Sequence, residues 1–414
     1  MTAVKTILQP ASASRVPYTG PAVRCRFENR LAGTALEFQN PLEHIRACAP
    51  EELEQALQRI AAAQKQGHWV ALALDYELGF WLDPAFANMP FAQRKTPALS
   101  AWVFDRACET TPWGPPDEQG SIELSGAPAV ARDHYLQTVA SLRERMAHGD
   151  FYQVNYTFPI QVRSSASPEQ LYRSIASRHP VAHAVYFEDE HRSIASFSPE
   201  LFLERRGDRL TVRPMKGTAP RHADPEQDRK QASALLASTK NRAENLMIVD
   251  LLRNDLGRVA VPGSVQVESL FTLEQYPSVW TLTSTIHAIQ ARSYGLHELL
   301  TALFPCGSIT GAPKIAAMRA IAESEPHPRG IYCGSLGWLA PDGDFSLNVA
   351  IRTLELQHDA QSGRTWGSFG VGGGIVIDSD PAQEWEECLW KARILDLRPA
   401  VASSSHQNTT IPQQ

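Results

Sequence analysis

The sequence predicts an α+β fold, with antiparallel β-sheets packed as a sandwich, helices on the outside, and a smaller N-terminal part completing the unit. Three observations predict it. Tyr152, Val154, Tyr156, Phe158, Ile160 and Val162 alternate with polar Gln153, Asn155, Thr157 and Gln161, the period-two pattern of a half-buried strand. Short β-rich runs at Ala182–Phe187, Leu201–Glu204 and Leu210–Arg213 follow one another through short connections, which join antiparallel neighbours. Asp133–His148 carries Tyr135, Val139, Leu142 and Met146 at helical spacing and is closed by Gly149.

The remaining elements follow in chain order. Residues 1–20 read as loop. Pro50–Gln66, rich in Ala, Glu and Gln, predicts a helix, and His68–Asp75 a strand. Cys108–Val130 contains Pro112, Pro115, Pro116 and Pro128 and reads as a linker. Helices are predicted at Glu226–Ser238, Arg242–Arg253, Pro313–Ala322 and Pro381–Leu395, with strands at Tyr332–Leu339 and Phe345–Leu356. The organisation expected is an N-terminal part with linker (1–125), a catalytic domain (126–400), and a polar, disordered tail (401–414).

Composition removes several classes of function. The 414 residues hold 39 basic and 45 acidic side chains, a net charge of −6, so nucleic acid is not the expected partner. No apolar run approaches the roughly 20 residues of a membrane helix, so no membrane is expected either. Met1–Ser14 lacks the apolar core of a secretory signal, and six scattered cysteines form no Cys-x-x-Cys pair. A cytoplasmic protein with reduced thiols is expected. Neither Gly-x-Ser-x-Gly nor His-Glu-x-x-His occurs, which argues against serine hydrolase and zinc protease chemistry.

The residues that carry chemistry lie between 200 and 391. The nearly apolar run Leu246–Leu252 predicts a buried helix, and a charge such as Glu244 on it needs a partner or a metal. Asp380, Pro381 and Gln383 form a helix start, after which Glu384 and Glu387 share one face. Carboxylates from two helices suit Mg²⁺, although the same spacing also describes solvated surface charge. Lys216 lies between Pro214-Met215 and Gly217-Thr218, a sequence for a tight turn that aims one amine, and a buried neutral amine is a nucleophile. Gly372, Gly373 and Gly374 follow a strand but open no helix, so they are not a dinucleotide fingerprint; their amides suit a carboxylate. Gly307–Lys314 has the wrong spacing for a phosphate-binding loop but leads into a helix, whose N-terminus favours an anion.

Taken in order, these segments resemble the chorismate-utilising enzymes. The resemblance runs from about residue 130 to 395 and rests on Asp150–Asn155, Phe197–Phe202, the Pro-Met-Lys-Gly-Thr segment, Arg242–Asp255, Gly307–Lys314, Ile351–Thr353 and Gly372–Gly374. Lys216 resembles the aminodeoxychorismate synthase branch, whereas anthranilate synthases carry Ala there. Gln153 stands where isochorismate and salicylate synthases have a general-base lysine. The resemblance implies chorismate as substrate and Mg²⁺ as cofactor, held by Glu244 and Glu387 with Glu384 beside them. It implies Glu200 as the acid and Lys216 as the nucleophile. Arg352, Tyr332 and Gly372–Gly374 are expected to hold the enolpyruvyl carboxylate, and Lys391 the ring carboxylate. Gly217, Thr218, Ser308 and Thr310 are expected to touch substrate. Without a Gly-x-Cys-x-Gly nucleophile, ammonia is expected from a separate glutamine amidotransferase subunit (component II). Three positions depart from the family pattern: Met215 for Ile, Asn241 for an acid, and Thr281 for His.

Overall fold

The computed structural model describes residues 18, 20, 22–89, 96–117, 122–276, 279–292 and 294–397. The loop expected before residue 18 and the polar tail expected after 400 lie outside the described residues.

Every strand pairing is antiparallel, and the strands form one continuous hydrogen-bonded path. It starts at Gln153–Ser164, with Leu124–Pro128 and Gly311–Ala312 along one edge and Arg364–Val376 along the other. From Arg364–Val376 it runs through Thr353–Asp359, Ser193–Ser198, His183–Glu188, Arg24–Asn29, Thr34–Ala47 and Leu99–Thr110. It continues through Trp69–Leu74, Ser335–Leu339, Phe345–Asn348, Leu201–Arg206 and Arg209–Arg213. The path ends at Val279–Ile289, which carries Arg209–Arg213 and Met215–Pro220 on one edge and Gln266–Gln275 on the other.

Strands in the middle of this path are buried on both faces. In Trp69–Leu74, all six residues are buried. Trp69, Ala71 and Ala73 join Phe27, Phe38, Trp102, Phe104, Val185 and Phe187 in a cluster to which, among the described residues, no helix contributes. Val70, Leu72 and Leu74 turn the other way, into the larger core that holds the helical residues Leu53, Ile60, Tyr135, Val139, Ile248 and Leu252. A period of two with both faces covered produces a continuous apolar run rather than alternation. This is a sandwich interior on one side and a helical cover on the other.

Several elements differ from expectation. The segment read as linker contains the end of strand Leu99–Thr110 and all of strand Leu124–Pro128; its prolines fall between them or at an edge, where no ladder donor is needed. The helix Pro168–Arg178 and the hairpin Gln266–Gln275/Val279–Ile289 were not foreseen. The helix carrying Glu244 spans Thr239–Gly257 and is not wholly buried. Asn245, Ile248, Val249, Leu252 and Leu256 face the core, while Leu246 is exposed. Its apolar residues outnumber those that one stripe can bury. No disulfide joins any of the six cysteines. Among the described residues, no helix is long and apolar enough to cross a membrane.

Candidate active site

The two ends of the strand path meet at a cavity of about 210 Å³. Asn155 and Gly370–Gly372 line it from one end, Met215–Thr218 from the other, and Glu244, Glu384, Glu387 and Lys391 from two helices. Glu200, Ser308, Tyr332, Arg352 and Gly374 complete the wall. Thirteen of the residues expected from the sequence, drawn from well-separated segments, thus converge on one concavity. Two do not line it. Thr310 is buried behind the wall, donating to the carbonyls of Cys306 and Gly307, and Gly373 points toward Glu384.

Lys216 is not in a turn. Met215–Pro220 is a short strand against Val279–Ile289, with a register shift between Met215 and Thr218 and Gly217 at φ +84°. Pro214 separates it from Arg209–Arg213 on the same edge, so the Pro and Gly read as turn signals mark a bulge instead. The bulge aims Lys216 inward, where Nζ donates to the Ser308 carbonyl at 2.6 Å. Thr281 is buried and donates to the Gly217 carbonyl at 3.0 Å. That departure from the family pattern therefore buttresses the bulge from outside the cavity wall. Asn241 packs against Gly217: a Cβ there would lie 3.1 Å from its Cβ.

Glu200 sits at the junction of strands Ser193–Ser198 and Leu201–Arg206. The Ser198 hydroxyl fixes this junction by accepting from the Glu200 amide and donating to the Val349 carbonyl. One Glu200 carboxylate oxygen accepts from the Met215 amide at 3.4 Å. Burial pushes the Glu200 carboxyl above its ordinary range, against the opposing pull of the Ser308 hydrogen bond and the Lys216 charge. Burial draws the Lys216 amine down, opposed by Glu200 and Glu244. Both shifts favour uncharged groups, an acid and an amine facing one cavity.

A second group is acidic. Asp380 caps its helix by accepting from the Gln383 amide at 2.9 Å, which orients Glu384 and Glu387. Glu384 accepts from the Ser379 hydroxyl at 2.7 Å, and Glu387 pairs with Lys391 at 2.8 Å. Lys391 also donates to the Gly372 carbonyl at 2.7 Å. Burial raises the Glu244 and Glu384 carboxyls and Glu387's charge raises both further, while Lys391 holds Glu387 itself down. The glycines make room for these neighbours. They lie within strand Arg364–Val376, where a Cβ on Gly373 would sit 3.0 Å from Glu384 and one on Gly374 2.3 Å from Gln153.

Asn155, Lys240, Ile351 and Trp390 also line the cavity; Asn155 and Ile351 lie in segments that carry the resemblance but were given no role, and Lys240 and Trp390 were missed. Lys240 lies 4.0 Å from Glu244, one helical turn away, and that spacing was visible. Asn155 belongs to the polar stripe Gln153-Asn155-Thr157, all three buried.

Residues 92–396 match the model of the chorismate binding enzyme family. Component 1 of aminodeoxychorismate synthase from Escherichia coli (strain K12) is 41% identical over 281 residues, 68% of this chain and 61% of that protein. Anthranilate synthase component 1 of Streptomyces coelicolor is 36% identical over 305 residues, 73% of this chain and 57% of that protein. The chain therefore matches about three fifths of the length of these curated relatives. Anthranilate synthase component I from Streptococcus pneumoniae shares the fold, with a TM-score of 0.72 at 24% identity, covering 94% of each chain. The chain belongs to the family of chorismate-binding enzymes.

Proposed function

We propose that this chain aminates chorismate at C4 to give 4-amino-4-deoxychorismate, as component I of an aminodeoxychorismate synthase. The observation that carries the reading is Lys216, aimed into the cavity beside the buried acid Glu200 and held by Ser308. An alanine there would remove the amine that this strand aims into the cavity.

The Lys216 amine attacks C2 of the ring. The N–C2 bond forms, the ring double bonds shift, and the C4–O bond breaks. Glu200 gives its proton to the departing hydroxyl, which leaves as water; acid assistance of this kind contributes about 10²- to 10⁴-fold. Ammonia then attacks C4, the double bonds shift back, and Lys216 leaves C2, ready for another turn. Ammonia reaches the cavity from a glutamine amidotransferase subunit. Arg352 and Tyr332 hold the enolpyruvyl carboxylate, and Lys391 turns its ammonium toward the ring carboxylate.

Magnesium fits the remaining donors. Glu244, Glu384 and Glu387 would offer oxygen donors from two helices; burial and the charge of Glu387 favour a cation beside Glu244 and Glu384, while Glu387 already pairs with Lys391. When bound, the ion polarises the ring carboxylate as a Lewis acid.

Intact-mass measurement tests the covalent step. Chain incubated with chorismate and Mg²⁺ without ammonia is expected to gain chorismate less one water, located by peptide mapping at Lys216. Lys216→Ala is expected to gain nothing and to lose most amination. Full turnover by Lys216→Ala would refute the covalent route.

A further inference from the structure

Away from the cavity, strand Thr34–Ala47 approaches the tight turn between His183–Glu188 and Ser193–Ser198. His44, Glu190 and His191 each offer a ligand atom here, and these atoms all lie within 4.8 Å of one another. Among the described residues, no other group of three or more His, Cys, Asp and Glu side chains converges as closely.

The surroundings prepare His44 as a ligand. Its ring stacks on buried Trp102, with centroids 4.1 Å apart and planes 8° apart, and the two residues are directly opposed across the strand pair. His44 Nε2 lies 2.8 Å from the Ser100 hydroxyl, which donates to Asp189 Oδ2 at 3.4 Å. A hydroxyl that donates to a carboxylate must accept from the imidazole. Nε2 therefore carries the proton and Nδ1 keeps the lone pair, one defined tautomer of the neutral ring. Burial keeps the ring neutral, its pKa drawn down to about 4.

The turn is equally fixed. Asp189 Oδ1 accepts from the amides of His191 and Arg192, and Oδ2 also accepts from Trp102 Nε1. His191 Nε2 is buried and makes no hydrogen bond; its near neighbour is Glu190 Oε1 at 3.5 Å. The His44 and His191 rings are 6.1 Å apart, centroid to centroid. Around a tetrahedral ion with bonds of about 2.0–2.1 Å, donors sit about 3.4 Å apart, so rotation of exposed Glu190 and a small closure of the rings complete the site.

We propose that His44, Glu190 and His191 form a binding site for a borderline divalent cation of the zinc class. Two imidazoles and one carboxylate select such an ion over Mg²⁺, which prefers oxygen alone. The ion ties strand Thr34–Ala47 to a turn nearly 150 residues later, and so stabilises the N-terminal strands against that hairpin.

Cobalt titration tests the site, because four-coordinate Co²⁺ with imidazole ligands absorbs strongly in the visible. The full chain, stripped with chelator, is expected to take up one Co²⁺ with such bands, undiminished by excess Mg²⁺ and displaced by Zn²⁺. His191→Gln and Glu190→Gln are expected to abolish the bands while chorismate consumption is retained. Ser100→Ala, which touches no ion, is expected to weaken binding about 10- to 100-fold. Circular dichroism of each variant verifies the fold. Absence of the bands from the parent, their loss to excess Mg²⁺, or their persistence in folded His191→Gln would each overturn the proposal.

Discussion

Lys216 and Glu200 face one cavity, and each is more easily neutral there than in water. Their protons belong to the pair. With two protons, the pair has no free amine; with none, it has no acid. Turnover is therefore expected to rise as pH passes the pair's lower macroscopic value and to fall past its upper one, a bell measured in kcat/KM with ammonium held in excess as free NH₃. A profile flat across both limbs would contradict shared titration. Glu200→Gln keeps the shape and the Met215 contact but cannot give up a proton; kcat is expected to drop about 10²- to 10⁴-fold. At this scale the sequence was most legible, because chemistry restricts residue type: a lysine between Pro-Met and Gly-Thr and three glutamates on two helices stand out without coordinates. Asn155 and Lys240 did not stand out, since an alternating strand and an i,i+4 pair are also ordinary surface patterns.

At the scale of elements, the bulge in Met215–Pro220 does the positioning. Gly217 is left-handed at φ +84° and touches Asn241, so Gly217→Ala strains the backbone and presses on the helix Thr239–Gly257. The expected cost is about 1–3 kcal/mol in urea unfolding, with kcat falling further than that loss of stability explains. Unchanged kcat would mean that the bulge does not set the amine. The bulge was misread as a turn because Pro and Gly punctuate both; only the partner strand Val279–Ile289 distinguishes them. That strand was itself missed. Its hairpin mate Gln266–Gln275 has no fully buried residue, so no apolar face marked it.

On the scale of the whole molecule, the sheet closes the cavity by bringing its two ends together, and the double-faced middle strands hold them there. Leu72 is fully buried under the helices and pairs with Gly337 on strand Ser335–Leu339. Leu72→Ala is expected to cost about 2–5 kcal/mol in urea unfolding while the folded enzyme keeps its kcat. A much smaller loss would mean that the middle strands do not bear this load. The class of the fold was legible because alternation and short connections are local. The order of the strands was not: Arg24–Asn29 pairs with His183–Glu188 and Trp69–Leu74 with Ser335–Leu339, contacts that no window of sequence contains.

The central claim is amination of chorismate with the enolpyruvyl group retained. Its most direct test is product analysis of the chain with chorismate, Mg²⁺ and ammonium at mildly alkaline pH, alongside a pyruvate assay. The account predicts that chorismate is consumed without pyruvate, giving a product that yields 4-aminobenzoate when a lyase is added. Release of pyruvate together with fluorescent anthranilate would contradict it and make Lys216 a bystander.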